Sequence, residues 1–183
     1  MEFTLFYTGN LPISKSGRAI KKQELRRCFH SQLKLLWNQP PLINSQHFLN
    51  SAGNISLVYD FAGFQFVPLV SQRIFTVAEL DITLLRPGPP GAIIKSGDVD
   101  NRLKTIIDSL KMPQQINELP QDDSPKDGET PFFCLLEDDN LITRVSVNTA
   151  QLLKDSLFSS EVVLLINVLT KITRKQYATL NFV

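Results

Sequence analysis

The sequence predicts a single domain of the α+β type within the broad α/β class, a mixed β-sheet packed with two main helices. Three observations predict it. The 183 residues are 43% hydrophobic and 20% charged, which suits one real core and excludes a disordered, collagen-like or coiled-coil chain. Apolar residues recur at helical spacing in two separate stretches. Short runs rich in Val, Ile, Leu and Phe, bounded by Gly, Pro and Asn, fill much of the remaining length.

Each element follows from its local pattern. Phe3 to Tyr7 reads as a strand, stopped by Gly9, Asn10 and Pro12. From Lys21 to Trp37, Leu25, Phe29, Leu33 and Leu36 form one apolar stripe and leave Lys22, Arg26, Arg27, His30 and Lys34 for the other faces, so this is an amphipathic helix with a basic outer side. Pro40 and Pro41 end it, because proline disfavours helical geometry in the residue before it. Gly63 to Val70 and Thr76 to Leu85 suit strands. Val99, Leu103, Ile106, Ile107 and Leu110 then place a helix over about Asp98 to Lys111, stopped near Pro113. Residues 114–131 are polar, acidic and proline-containing, and read as an exposed loop or insertion. Strands return at Phe132 to Leu136, Leu141 to Val147 and Val162 to Leu169. No repeat or second domain interrupts residues 1–183.

The formal charge is only +1, yet it is unevenly spread. Residues 1–40 hold seven basic and two acidic side chains, a local +5, and the rest of the chain is correspondingly negative. Cys28 and Cys134 have no C-x-x-C companion and imply neither a disulfide framework nor a zinc site. Phe29 and Trp37 adjoin the apolar stripe and belong to the core, while His30 and His47 lack metal-ligand spacing. The N-terminus has no signal-peptide pattern and the best apolar run, Val162 to Leu169, is too short to cross a bilayer, so the chain is expected to be soluble, cytoplasmic and free of membrane contact.

The chemistry-bearing residues fall in two acidic groups. Asp98 and Asp100 enter the second helix, and Glu137, Asp138 and Asp139 lie between two apolar runs. Carboxylates are the ligands of hard cations such as Mg²⁺, so two such groups can build a site for phosphoryl transfer. The alternative is structural, since Asp and Asn also cap helices and make turns. Against it, the second group sits beside runs that should be buried, where unpaired charge is costly.

The stretch Asp98-Val99-Asp100-Asn101-Arg102-Leu103-Lys104, then Asp108, then Asp138-Asp139, resembles the RusA family of Holliday junction resolvases, whose pattern is D-x-D-N-x-x-K, a further Asp in the same helix, and a later D-D. The resemblance covers roughly Asp98 to Val147. It implies a RusA-like fold, a homodimer, Mg²⁺ (with Mn²⁺ as substitute) and symmetric cutting of branched DNA. Asp98, Asp100 and Asp139 match the family's essential metal-binding aspartates, Lys104 matches its catalytic lysine, and Asp138 and Asp108 match further acidic positions, Asp138 being the fourth expected ligand. The chain departs from the family in a longer interval between Asp108 and Asp138 and in Leu141 where a glutamine is usual.

On this reading Lys15, Arg18, Lys21, Lys22, Arg26 and Arg27 would contact DNA phosphates, which supply most sequence-independent affinity. Three rivals stand beside it: a non-catalytic DNA-binding protein of the same fold, a nuclease for another nucleic-acid structure, and an interaction protein whose carboxylates are caps and turns.

Overall fold

The computed structural model describes residues 1–11, 17–51, 53, 55–87, 98–153 and 161–174, and of residues 98–100 the backbone alone. Among the described residues, seven strands form two mixed sheets in an α+β arrangement. The strands are β1 (Glu2–Asn10), β2 (Tyr59–Phe61), β3 (Phe64–Val70), β4 (Thr76–Arg86), β5 (Phe132–Leu136), β6 (Ile142–Gln151) and β7 (Glu161–Ile172). The long helices are α1 (Arg18–Trp37) and α2 (Asp98–Leu110). Among the described residues no helix is long and apolar enough to cross a membrane.

The larger sheet has the order β1-β7-β4-β6, antiparallel except for the β4–β6 pair. β4 and β7 alternate buried and partly exposed side chains, so Leu80, Ile82 and Leu84 meet Val162, Leu164, Ile166 and Val168 on one buried face. The smaller sheet, β2-β3-β5, pairs β3 and β5 in parallel. All five residues of β5 are buried, which explains its unbroken apolar run, Phe-Phe-Cys-Leu-Leu.

Helix α1 packs on β1, β5 and α2, and buries Leu25, Phe29, Leu33 and Trp37 in the main core. It begins before Lys21 because Gly17 takes the left-handed conformation (φ 70°) and its carbonyl accepts the Lys21 N–H at 3.0 Å. Across its length Gln32 reaches the edge of β1, accepting the Phe6 N–H at 2.9 Å and donating to the Phe6 carbonyl at 2.7 Å. A side-chain amide thus satisfies one residue of that sheet edge as a further strand would.

Two elements were not anticipated. Residues Leu42–Leu49 form a 3₁₀ stretch that buries Leu42 and Phe48. β2 pairs with β3 through Ala62 and Gly63, both at positive φ (49° and 80°), a hairpin whose usual Asn-Gly signal is absent because alanine stands first.

One expectation is corrected, and another is refined. The basic faces of α1 are not an outer surface: Arg26 is only 1% exposed, because three backbone carbonyls around the end of α2 need its donors. The acidic segment 114–131 is exposed over most of its length, as expected of a loop, but it is anchored at two points. It lies against α1, with Leu119 and Glu129 buried, because Arg27 and Lys34 draw it down.

Candidate functional site

The site is assembled from α2 and the turn after β5. Glu137 is fixed first. Its backbone N–H donates to Val70 O at 2.9 Å, and its carboxylate accepts from the Ser71 hydroxyl at 2.6 Å and the Gln72 N–H at 2.9 Å. That ties the ends of β3 and β5 together and commits Glu137 to the fold. Tyr59 closes the same group 3.2 Å from the Ser71 hydroxyl, and burial, opposed by that hydrogen bond and reinforced by the Glu137 charge, pushes its phenol up to about 12.

Asp138 turns back and accepts the Asn140 N–H at 3.0 Å, capping the single 3₁₀ turn Asp139–Leu141. Asp139 projects from that turn. It lines a cavity of about 280 Å³ together with Leu103, Lys104, Ile107 and Asp108 of α2. Lys104 and Asp108 share it because residues four apart lie on one helix face. Residues from two sequence groups thus meet at one opening.

Each pocket carboxylate holds an internal ammonium. Asp108, 8% exposed, pairs with Lys22 of α1 at 2.6 Å. Asp139 pairs with Lys111 at 3.2 Å. Burial pulls the Lys111 ammonium down, but the hydrogen bond and charge of Asp139, with the charges of Glu118 and Asp108, outweigh it and hold Lys111 above the ordinary lysine value. Sequence reading missed Lys111, which follows the last helical residue and has no motif to mark it.

The basic residues of α1 fall in two stripes. Arg18, Lys22 and Arg26, spaced by four, face α2: Arg18 donates to the Asn101 side chain at 3.3 Å, Lys22 pairs with Asp108, and Arg26 donates to Asp108 O at 2.9 Å. Arg26 also reaches Glu118 O at 3.0 Å and Lys111 O at 3.3 Å, and burial lowers its pKa against the opposing charges of Glu118, Cys134 and Asp108. The second stripe faces the acidic segment. Arg27 pairs with Asp123 and Glu129, each at 2.9 Å, Lys34 donates to Gly128 O at 2.7 Å, and His30 sits 3.4 Å from the same carbonyl. Burial pushes the Glu129 carboxyl up, but the Arg27 and Lys126 hydrogen bonds and the Arg27 and His30 charges leave it below the usual range. Lys21 pairs with Glu24 at 2.6 Å and reaches the Tyr7 hydroxyl at 2.9 Å. The i, i+4, i+8 spacing of Arg18, Lys22 and Arg26 was the available signal that this stripe faces another helix.

Asp98 and Asp100 open α2 in its backbone, but their side chains lie outside the described residues, as does Lys15 altogether. Among the described residues no three His, Cys, Asp or Glu side chains converge as a metal site. The donor set is nonetheless hard-oxygen in character, with Asp139 at the cavity and Asp138 beside it, which suits Mg²⁺ and not a thiophilic metal. Comparison of the chain with protein-family models, with curated proteins and with solved structures finds no match.

Proposed function

We propose that the chain is a Mg²⁺-dependent endonuclease that hydrolyses phosphodiesters in branched DNA such as Holliday junctions, as its resemblance to the RusA family implies. One observation carries the reading: Lys104 and Asp108 of α2 and Asp139 of the turn after β5 line a single cavity although the two groups are far apart in sequence. Asp98, Asp100, Asp138 and Asp139 are the residues that would hold the ion. When bound, Mg²⁺ activates a water for in-line attack and offsets charge on the leaving oxygen. Lys104, exposed at the helix surface, supplies positive charge to the phosphate as negative charge builds in the transition state. Asp108, tied to Lys22, keeps α2 at a fixed distance from α1 and so holds Lys104 in place.

DNA contact is assigned to Lys15, Arg18 and Lys21; Lys22 is withdrawn from that set by its pairing with buried Asp108, Arg26 by its burial, and Arg27 by its two carboxylate partners. The proposed homodimer has a candidate edge in β6, the terminal strand of its sheet, which carries exposed Val145 and Val147. Two free thiols, Cys28 and Cys134, accord with a reducing, cytoplasmic setting.

The non-catalytic reading draws support from a different observation, that Asp108 and Asp139 are already neutralised by lysines. Cleavage of end-labelled four-way junction and matched linear duplex, with and without Mg²⁺, separates the two. Paired symmetric nicks in the junction alone, lost in Asp139→Asn, establish the nuclease. Junction binding without any cut transfers the weight to the binding protein, and neither binding nor cutting overturns both.

A further inference from the structure

Lys111 stands where the proposed chemistry would least want a fixed cation. Its backbone is held tightly: a parallel bridge joins it to Leu136, the next residue, Met112, donates to Leu136 O at 2.9 Å, and Arg26 donates to the Lys111 carbonyl at 3.3 Å. The side chain is 12% exposed and its ammonium lies 3.2 Å from Asp139 Oδ2, on a carboxylate that is itself 45% exposed at the cavity. The charges of Glu118 and Asp108 also surround it. The pair stabilises the partly buried Lys111 ammonium more than it stabilises Asp139. With 45% of its side chain in water, a solvated carboxylate would cost little there, so a buried lysine stem spent on it calls for a reason.

We propose that Lys111 is a placeholder cation and positioning residue for Asp139: it holds the carboxylate at the cavity when no metal is bound, and competes with a divalent cation for the same oxygen. The inference rests on the reading of Asp139 as a metal ligand. A monovalent charge beside a divalent ion opposes it by about a factor of ten in affinity even at the dielectric of water, and more in a partly buried site. Lys111 therefore sets how much free metal the site needs. This is distinct from the part given to Lys104, which acts on the phosphate.

The test is a titration with Mn²⁺, read by the loss of the free-ion electron paramagnetic resonance signal, on full-length wild type, Lys111→Met, Lys111→Arg and Asp139→Asn. Methionine keeps most of the stem volume and removes the charge; arginine keeps the charge. The expected result is roughly ten-fold tighter Mn²⁺ binding in Lys111→Met, near wild-type binding in Lys111→Arg, and weaker binding in Asp139→Asn. Unchanged or weaker binding in Lys111→Met overturns the proposal while leaving Asp139 as a ligand. Mn²⁺ binding that ignores Asp139→Asn, or no binding by any form, overturns the metal reading itself. On the wild-type chain, with lysine labelled at Cε, the Lys111 resonance is expected to move as Mg²⁺ is added; a stationary resonance at saturating Mg²⁺ also refutes the competition, whatever the stability of the variants.

Discussion

Replacing Arg26 by methionine is the sharpest test of how α1 is used. The side chain is almost wholly buried and its guanidinium donates to three backbone carbonyls, Asp108 O at 2.9 Å, Glu118 O at 3.0 Å and Lys111 O at 3.3 Å. The Asp108 carbonyl belongs to the last turn of α2, whose final carbonyls have no helical partner, and a cation there also meets the negative end of the helix dipole. Methionine preserves much of the stem packing and abolishes all three bonds. Hydrogen bonds from a charged donor contribute about 1.5–3 kcal/mol each, and the recovered desolvation cost of the guanidinium offsets part of the sum, leaving a loss of about 3–5 kcal/mol. That is a large share of the roughly 5–15 kcal/mol that holds a domain together. The only tryptophan, Trp37, lies at the C-terminal end of the same helix with no exposure, so its fluorescence reports urea unfolding directly. Arg26→Lys keeps the charge without the fork and is expected to recover less than half of the loss. A loss below about 1 kcal/mol for Arg26→Met would refute the reasoning, because it would mean that those carbonyls are satisfied without Arg26 and that the guanidinium is free to leave the interior.

Three further outcomes follow from the same contacts. His30 accepts the Phe133 N–H at Nδ1 (2.8 Å), and burial lowers its pKa below 6.5 despite the Gly128 carbonyl and Glu129, with Lys34 opposing protonation. Its neutral form therefore contributes stability that is complete above pH 6.5 and is lost as pH falls toward the depressed value, a slope that urea melts between pH 8 and 5 should show and that His30→Gln should flatten. Gln32→Ala removes both contacts to the β1 edge, costing about 1 kcal/mol and raising concentration-dependent association, measured by sedimentation velocity. Thiol labelling of the native protein should be slow at Cys28, whose pKa burial raises against the Gln32 hydrogen bond, and absent at buried Cys134 until the chain unfolds.

The strands and the two helices were legible because each carries its period in full. β4 and β7 alternate cleanly, β5 is an unbroken apolar run, and the stripe from Leu25 to Leu33 repeats every four residues. What escaped was whatever depends on a partner distant in sequence. Nothing local marks Gln32 as the guard of Phe6, or Ser71 as the anchor of Glu137, since both are ordinary polar residues until the chain closes. The cavity was half legible: the spacing of Lys104 and Asp108 put them on one helix face, but only the turn after β5 brings Asp139 to them and Lys111 to Asp139.

The charge split has the most consequential explanation. A local +5 in the first forty residues suggests a surface waiting for a polyanion, yet the described members of that set have partners within the chain. Arg18, Lys22 and Arg26 meet α2, Arg27 and Lys34 meet the acidic segment, and Lys21 meets Glu24. Much of the excess acid farther along the chain is the complement of this helix, so the asymmetry is first a device for docking α1 between α2 and residues 118–130. Among the described cations of α1, DNA affinity must then come from those that can exchange an internal partner for a phosphate. Lys21 is the cheapest of these, because Glu24 is 57% exposed and returns to water at little cost, whereas releasing Arg27 frees two partly buried carboxylates. Lys21→Ala should accordingly weaken junction binding and reduce its salt slope by about one with stability nearly unchanged, while Arg27→Ala should act mainly on stability. If both substitutions shift DNA affinity equally at constant stability, the acidic segment yields readily to DNA and the docking argument for α1 fails.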